Sequence, residues 1–123
     1  MKRLLAALLA APLLLTACSD GKPNIESLTD LREHIATTNW ECVSWDEYSP
    51  GKSAYCGLPY NQGEVKVHFF DNPELMVAVH FDNDPELEAA VVGDNWVYEC
   101  SSPLGAVDCP GLAELFGGES IER

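Results

Sequence analysis

Apolar positions change their spacing several times along this chain, and each spacing predicts one kind of element. Residues 4–15 are almost entirely apolar. Leu28, Leu31 and Ile35 then recur at the three- and four-residue intervals of one helix face. Ser27 precedes that stripe and is of a residue type that caps helices through its side-chain oxygen. We therefore expect the first helix of the folded domain to begin near Ser27.

Alternation of polar and apolar residues predicts strands after this helix. Residues 40–48 and 54–60 are rich in strand-forming residues and flank the turn sequence Ser-Pro-Gly-Lys at 49–52. This arrangement predicts a β-hairpin. Residues 64–70 show the most regular alternation in the chain. One side of that strand is expected to carry Val65, Val67 and Phe69, and the other Glu64, Lys66 and His68.

The stretch that follows fits two different elements. Asp71 and Pro73 are typical of a helix start, with aspartate as the cap and proline in the first turn. An alternation typical of a strand nevertheless runs through Leu75, Val77, Val79 and Phe81. We expect a short helix at 72–80, and a strand paired with residues 64–70 is the alternative.

The last third of the chain predicts a strand and a closing helix. The strand, around Trp96, follows a bend at Gly93. Residues 108–110, Asp-Cys-Pro, are expected to begin the helix, and the glycine pair at 117–118 to end it. Residues 119–123 are expected to form a frayed tail. Together the elements predict an α+β fold, a small antiparallel sheet with two or three short helices.

The N-terminal apolar run has the features of a secretory signal. Lys2 and Arg3 precede it, and it is shorter than the roughly 20 apolar residues that span a bilayer. The run ends in Leu-Thr-Ala-Cys at 15–18, which resembles the lipobox of bacterial lipoproteins. The resemblance implies that residues 1–17 are removed and that Cys18 is lipidated. An ordinary signal peptide that happens to contain a cysteine is the alternative.

The lipobox resemblance also implies an address and a division of the chain. Residues 18–26 would be a lipidated tether, and the length of the remaining chain predicts a single folded domain at 27–118. The lipid would hold the protein in the cell membrane or the outer membrane, with its domain outside the cytoplasm. The expected partners are therefore the membrane itself and another protein of the cell envelope.

The remaining cysteines predict disulfides that would stabilise a small domain. Four cysteines follow Cys18, an even number in an oxidising compartment. We expect Cys42–Cys56 and Cys100–Cys109, because each pair flanks one short, turn-rich segment, and the other two pairings stay open. Zinc ligation by the four thiolates is a further alternative, although neither pair has the tight spacing of zinc sites.

The charge of the chain limits its partners. The net charge is −13, and it becomes −15 once the leader with Lys2 and Arg3 is removed, because five basic and all 20 acidic residues remain. Such a surface repels nucleic acid and anionic lipid headgroups, and it suits cations or a basic partner. We therefore expect no binding to nucleic acid.

A second resemblance lies in the last third of the chain. Residues 92–97, Val-Gly-Asp-Asn-Trp-Val, are followed by a helix that ends in Leu-Ala-Glu-Leu-Phe-Gly-Gly at 112–118. This part looks like the C-terminal half of small uncharacterised lipoproteins of actinobacterial type. The resemblance supports the α+β build and the envelope address, and it implies no activity.

The sequence contains no recognisable catalytic set. Its serines lack the G-x-S-x-G elbow, and His34, His68 and His80 lack the spacing of a metal-binding motif. His68 and His80 would meet on a polar face if residues 75–81 formed a strand. We therefore expect a non-enzymatic protein without a cofactor and without a dedicated metal site.

The turn at 82–88 is the one weak candidate for a cation site. Acidic residues alternate there at Asp82, Asp84, Glu86 and Glu88. The EF-hand pattern fails, because Pro85 and Glu86 stand where a third oxygen ligand and a glycine are needed. A helix cap at Asp84 explains the same residues. Cation or small-ligand binding at this turn is the alternative function.

Tyrosines around the expected hairpin suggest an interaction surface. Tyr48, Tyr55 and Tyr60 are grouped there, and tyrosine serves both as core filler and as an interface anchor. Packing of all three in the core is the alternative. The sequence thus favours a membrane-anchored envelope lipoprotein that acts as an interaction module, without giving its specific role.

Overall fold

The computed structural model describes residues 23–100 and 108–123. The leader, the lipobox and most of the tether lie outside the described residues. The described part contains one antiparallel sheet of six strands in the order β1-β2-β3-β5-β4-β6. The strands are β1 (Ser44–Ser49), β2 (Ser53–Gly57), β3 (Glu64–Phe69), β4 (Ala89–Val92), β5 (Trp96–Glu99) and β6 (Glu119–Glu122). The predicted α+β class is confirmed.

Helices cover both faces of this sheet. They are α1 (Leu28–Ala36), α2 (Pro73–Asn83) and α3 (Cys109–Phe116), and a 3-10 turn spans Pro59–Asn61. The apolar faces of α1 and α3 pack on one side of the sheet, in a core that includes Trp96 and Tyr98. On the other side, Val77 of α2 packs against Val97 of β5. Two cores of unequal size therefore lie on opposite faces of the sheet.

The first half of the domain follows the local signals of the sequence. Ser27 caps α1, and its hydroxyl accepts a hydrogen bond from the backbone N–H of Asp30 at 3.0 Å. β1 and β2 form the predicted hairpin, whose turn uses Gly51 in the left-handed region at φ 74°. The predicted disulfides Cys42–Cys56 and Cys100–Cys109 are both present.

The ambiguous segment is a helix, and it is longer than predicted. Asn72, not Asp71, caps α2, because Pro73 occupies the first helical position and the cap is the residue before it. The Asn72 side chain accepts a hydrogen bond from the N–H of Leu75 at 3.3 Å. The strand-like alternation arises because α2 is apolar around most of its circumference, with Leu75 left 54% exposed. The helix ends at Asn83 with Asp84 as its C-cap, and no helix follows at 85–88, so the prediction that Asp84 caps the start of a new helix is wrong.

The predicted frayed tail at 119–123 is also wrong. Glu119–Glu122 is strand β6, which pairs along the whole length of β4. The next residue, Arg123, donates guanidinium hydrogen bonds to the carbonyl oxygens of Phe81, Asp84, Pro85 and Leu87. A free sheet edge and a group of carbonyl oxygens at and after the end of α2 therefore order these last residues, and neither can be read from the tail itself.

No helix among residues 23–100 and 108–123 combines the length and the apolar composition needed to cross a membrane.

Candidate metal centre

Register places three polar side chains in a row on the α2 face of the sheet. Ser53 of β2 lies directly opposite His68 of β3, and His68 lies opposite Val97 of β5. Glu99 is two residues beyond Val97 and therefore lies on the same face of the sheet. The three side chains come from neighbouring strands, and α2 covers their end of the sheet with His80.

The polar row and the helix meet at one carboxylate oxygen. Oε2 of Glu99 is 2.6 Å from Nε2 of His68 and 2.8 Å from Nδ1 of His80. One ligating atom of each residue lies within 4.8 Å of the other two. The rings of His68 and His80 stand edge to face, with their centroids 5.2 Å apart. We call His68, His80 and Glu99 the His-His-Glu trio.

The trio is buried on the sheet side and open on the helix side. His68 and Glu99 are 2% and 6% exposed, whereas the side chain of His80 is 33% exposed. Cavities of about 420 Å³ and 430 Å³ lie elsewhere, at the N-terminal end of α2 and beside Arg123. An ion would therefore reach the trio from the His80 side.

His68 and His80 meet as the alternative strand assignment of 75–81 predicted, but for a different reason. That prediction required residues 75–81 to be a strand, whereas His80 reaches the sheet from helix α2. The third member, Glu99, was missed altogether. It stands in a four-residue strand in which every residue is buried, so no alternation marks it as special. The one local signal is a carboxylate within a buried apolar strand, where an ionised group needs partners.

The two histidines keep Glu99 ionised. Burial acts to raise the pKa of the Glu99 carboxyl, but the hydrogen bonds and charges of His68 and His80 outweigh burial. The pKa of Glu99 therefore lies below its ordinary value. A buried carboxylate anion that faces two imidazole nitrogens provides the negative charge and the lone pairs that a cation needs.

A chain of hydroxyl groups continues from His68 toward solvent. Oγ of Ser53 is 2.6 Å from Nδ1 of His68, and Ser53 lies close enough to the phenol of Tyr48 to influence its pKa. Burial raises the pKa of Tyr48, and the Ser53 hydroxyl partly opposes that rise. Tyr48 is nevertheless 45% exposed. Ser53, His68 and Glu99 are thus hydrogen-bonded in sequence within the sheet, and Tyr48 lies beside Ser53 at the surface.

This hydrogen-bonded series has the residue types of a serine-hydrolase triad but a different order of contacts. In that triad the serine bonds Nε2 of histidine and the carboxylate bonds Nδ1. Here Ser53 bonds Nδ1 and Glu99 bonds Nε2 of His68. Ser53 is also only 8% exposed, which leaves a substrate little access to its hydroxyl. These contacts indicate that Ser53 is a hydrogen-bond partner of His68 and not a nucleophile. That the chain is not an enzyme stays a prediction.

The acidic turn at 82–88 does not gather its side chains around a point. Among the described residues, the His-His-Glu trio is the one group of three or more ligating side chains close enough to share an ion. The Asp84 carboxylate accepts a hydrogen bond from the N–H of Glu86 at 3.0 Å. The guanidinium of Arg123 donates hydrogen bonds to the carbonyl oxygens of Asp84 and Leu87 in this turn. Ion binding by Asp82, Asp84, Glu86 and Glu88 stays a prediction.

The three hairpin tyrosines are not brought together. Tyr48 and Tyr55 stack with ring centroids 4.6 Å apart. Tyr60 lies in the β2–β3 connection, at the other end of β2, where it is 82% exposed. An interaction surface at these tyrosines stays a prediction, and the structure divides it into two places.

Neither a known protein family, a curated protein nor a solved structure matches the chain.

Proposed function

We propose that the chain is a lipid-anchored envelope protein whose folded domain binds a divalent transition-metal ion at His68, His80 and Glu99. The observation that carries the proposal is the convergence of three ligating atoms from β3, α2 and β5 within 4.8 Å. Burial of His68 and Glu99 gives an ion a binding site of low dielectric constant, and exposure of His80 lets the ion enter from solvent.

The distances require only a small adjustment to receive a metal. Zinc binds imidazole nitrogen and carboxylate oxygen at about 2.0–2.2 Å, which places tetrahedral ligand atoms about 3.3 Å apart. The Glu99 oxygen now lies 2.6 Å and 2.8 Å from the two nitrogens. The two oxygen–nitrogen separations would have to grow by roughly 0.5–0.7 Å to make room for the ion.

The donor set selects the class of metal. Two imidazoles and one carboxylate suit zinc, iron, nickel or copper, whereas calcium needs six to eight oxygen ligands. Three protein ligands leave at least one coordination position for water or a further ligand. The net charge of −13 adds a long-range attraction for cations.

Calorimetric titration of zinc into the processed chain, purified in detergent, tests the metal proposal. We expect one zinc ion per chain, and no comparable heat from calcium. His68→Ala and Glu99→Gln should each weaken zinc binding by more than about 100-fold, because each removes a ligand and not merely a supporting group. His34→Ala is the matched control, since His34 binds the carbonyl of Phe116 at 2.7 Å, outside the trio.

Two results of the zinc titration would contradict the proposed site. Equal affinity in the wild type and in both trio variants would place zinc elsewhere and remove the proposed site. An absence of binding in the wild type would leave the trio as a hydrogen-bonded structural cluster.

The anchor has a separate test in intact cells. The basic start, the apolar run and Leu15-Thr16-Ala17-Cys18 support lipidation at Cys18. We expect Cys18→Ser to abolish lipidation and to release the chain from the membrane fraction, because two acyl chains supply most of the membrane affinity of such an anchor. Mass spectrometry and fractionation measure both effects. A Cys18→Ser chain that remained fully membrane-bound would contradict the anchor.

A further inference from the structure

We infer that Ser53 is a positioning residue that allows His68 to change between its two neutral tautomers when a metal ion replaces the proton on Nε2. The inference rests on the proposed metal site, and it assigns a role to a residue that ligates nothing. Two contacts carry it. Ser53 faces Nδ1 of His68 at 2.6 Å, and Glu99 faces Nε2 of the same ring at 2.6 Å.

Without a metal, the Glu99 carboxylate can only accept, so the neutral His68 ring carries its proton on Nε2. Its Nδ1 then has a free lone pair, and the Ser53 hydroxyl donates to it. With a metal on Nε2, that lone pair is needed for ligation, and the ring proton must lie on Nδ1. Nδ1–H then donates to Ser53. The ring keeps one proton throughout, moved from one nitrogen to the other.

A hydroxyl group serves both states because it can donate and accept. A backbone carbonyl or a carboxylate at this place would only accept and would favour the ligating tautomer permanently, whereas alanine would support neither state. Burial makes the choice matter, because Ser53 and His68 are 8% and 2% exposed and water has little access to replace a lost partner.

Tyr48 completes the arrangement. When Ser53 accepts from Nδ1–H, its own hydrogen needs an acceptor, and the phenol oxygen of the neighbouring Tyr48 can take that hydrogen bond. Tyr48 is 45% exposed, so its own hydrogen can be donated to water. When the hydrogen bond between Ser53 and His68 reverses, the hydroxyl groups of Ser53 and Tyr48 can therefore reverse theirs in turn. No buried group is then left without a partner.

The strand pairing fixes the distance that this role needs. Ser53 and His68 are direct partners across β2 and β3, and the β1–β2 hairpin that carries Ser53 is tied by Cys42–Cys56. Side chains opposite one another in such a pair lie about 5 Å apart at Cβ, within reach of a serine and an imidazole.

Zinc titration of four variants, combined with ¹H–¹⁵N spectra of the imidazole rings, tests the inference. Ser53→Ala should weaken zinc binding by about 10–100-fold, the usual effect of removing the outer partner of a ligating histidine. Ser53→Thr, which keeps the hydroxyl, should restore most of the affinity. Tyr48→Phe, at a half-exposed position that leaves the core intact, should lose less than Ser53→Ala. Ser44→Ala on exposed β1 is the control and should bind as the wild type does.

The ring spectra supply the readout that a purely structural role would not move. We expect His68 of the wild type to change from the Nε2–H form to the Nδ1–H form on addition of zinc. Unchanged affinity and an unchanged His68 spectrum in both Ser53→Ala and Tyr48→Phe would overturn the inference while leaving the metal site in place. A wild type that binds no zinc would overturn the proposed function, and the role of Ser53 with it.

Discussion

Zinc is expected to raise the free energy of unfolding of this domain by about 2.7 kcal/mol when free zinc stands at 100 times its dissociation constant. For a domain of this size that corresponds to a rise of roughly 10–20 °C in Tm. The physical reason is that the ligands lie on β3, α2 and β5, with His68 and Glu99 31 residues apart in the chain. The unfolded chain does not hold such a site together. Thermal unfolding followed by circular dichroism, with and without zinc, measures the shift.

For each variant the change in Tm on addition of zinc is compared. A variant that is less stable without zinc can therefore still be judged. Glu99→Gln and His80→Ala should melt at the same temperature with and without zinc. Glu64→Gln, an exposed glutamate on the same strand as His68, should keep the full shift. Melting curves of the wild type that superimpose at all zinc concentrations would refute metal binding to the folded domain.

Removal of the Cys42–Cys56 disulfide is expected to cost about 3 kcal/mol of folding free energy. The bond closes a loop of 14 residues, and such a loop restricts the unfolded chain by about that amount. Cys100–Cys109, with a separation of nine residues, should contribute only slightly less. Chemical denaturation of the Cys42→Ala/Cys56→Ala double variant measures the loss, and the Cys100→Ala/Cys109→Ala variant provides the comparison.

Both results depend on oxidation of the four cysteines. Alkylation of the native chain without a reductant should leave Cys42, Cys56, Cys100 and Cys109 unmodified, and alkylation after reduction should modify all four. Four reactive thiols in the native chain, or a double variant as stable as the wild type, would show that the protein does not rely on these bonds.

Local signals predicted most of the elements because each element begins or ends at a residue with its own backbone preference. Ser27 caps α1, and Gly117 ends α3 in the left-handed region at φ 81°. Pro73 likewise predicted the start of α2, although its cap was placed one residue early at Asp71. In each case the controlling groups lie within four residues of one another, so the sequence alone contains the information.

Non-local pairing explains what local reasoning missed. Glu119–Glu122 has no strong preference of its own, and it becomes a strand because β4 offers an open edge. The same holds for the site. His68, His80 and Glu99 share no motif, and the sheet order that puts β3 beside β5 brings them together.

The sequence by itself determined the charge of this protein, and its local patterns predicted the pairing of its cysteines and the type of most of its elements, while the export signal stays a prediction. These properties follow from composition, short motifs and backbone preferences, which act over a few residues. Only the tertiary structure decided that a buried carboxylate would meet two histidines beneath a helix. That meeting depends on which strands are neighbours and which face the helix covers, and the whole chain sets both through burial of its apolar surface.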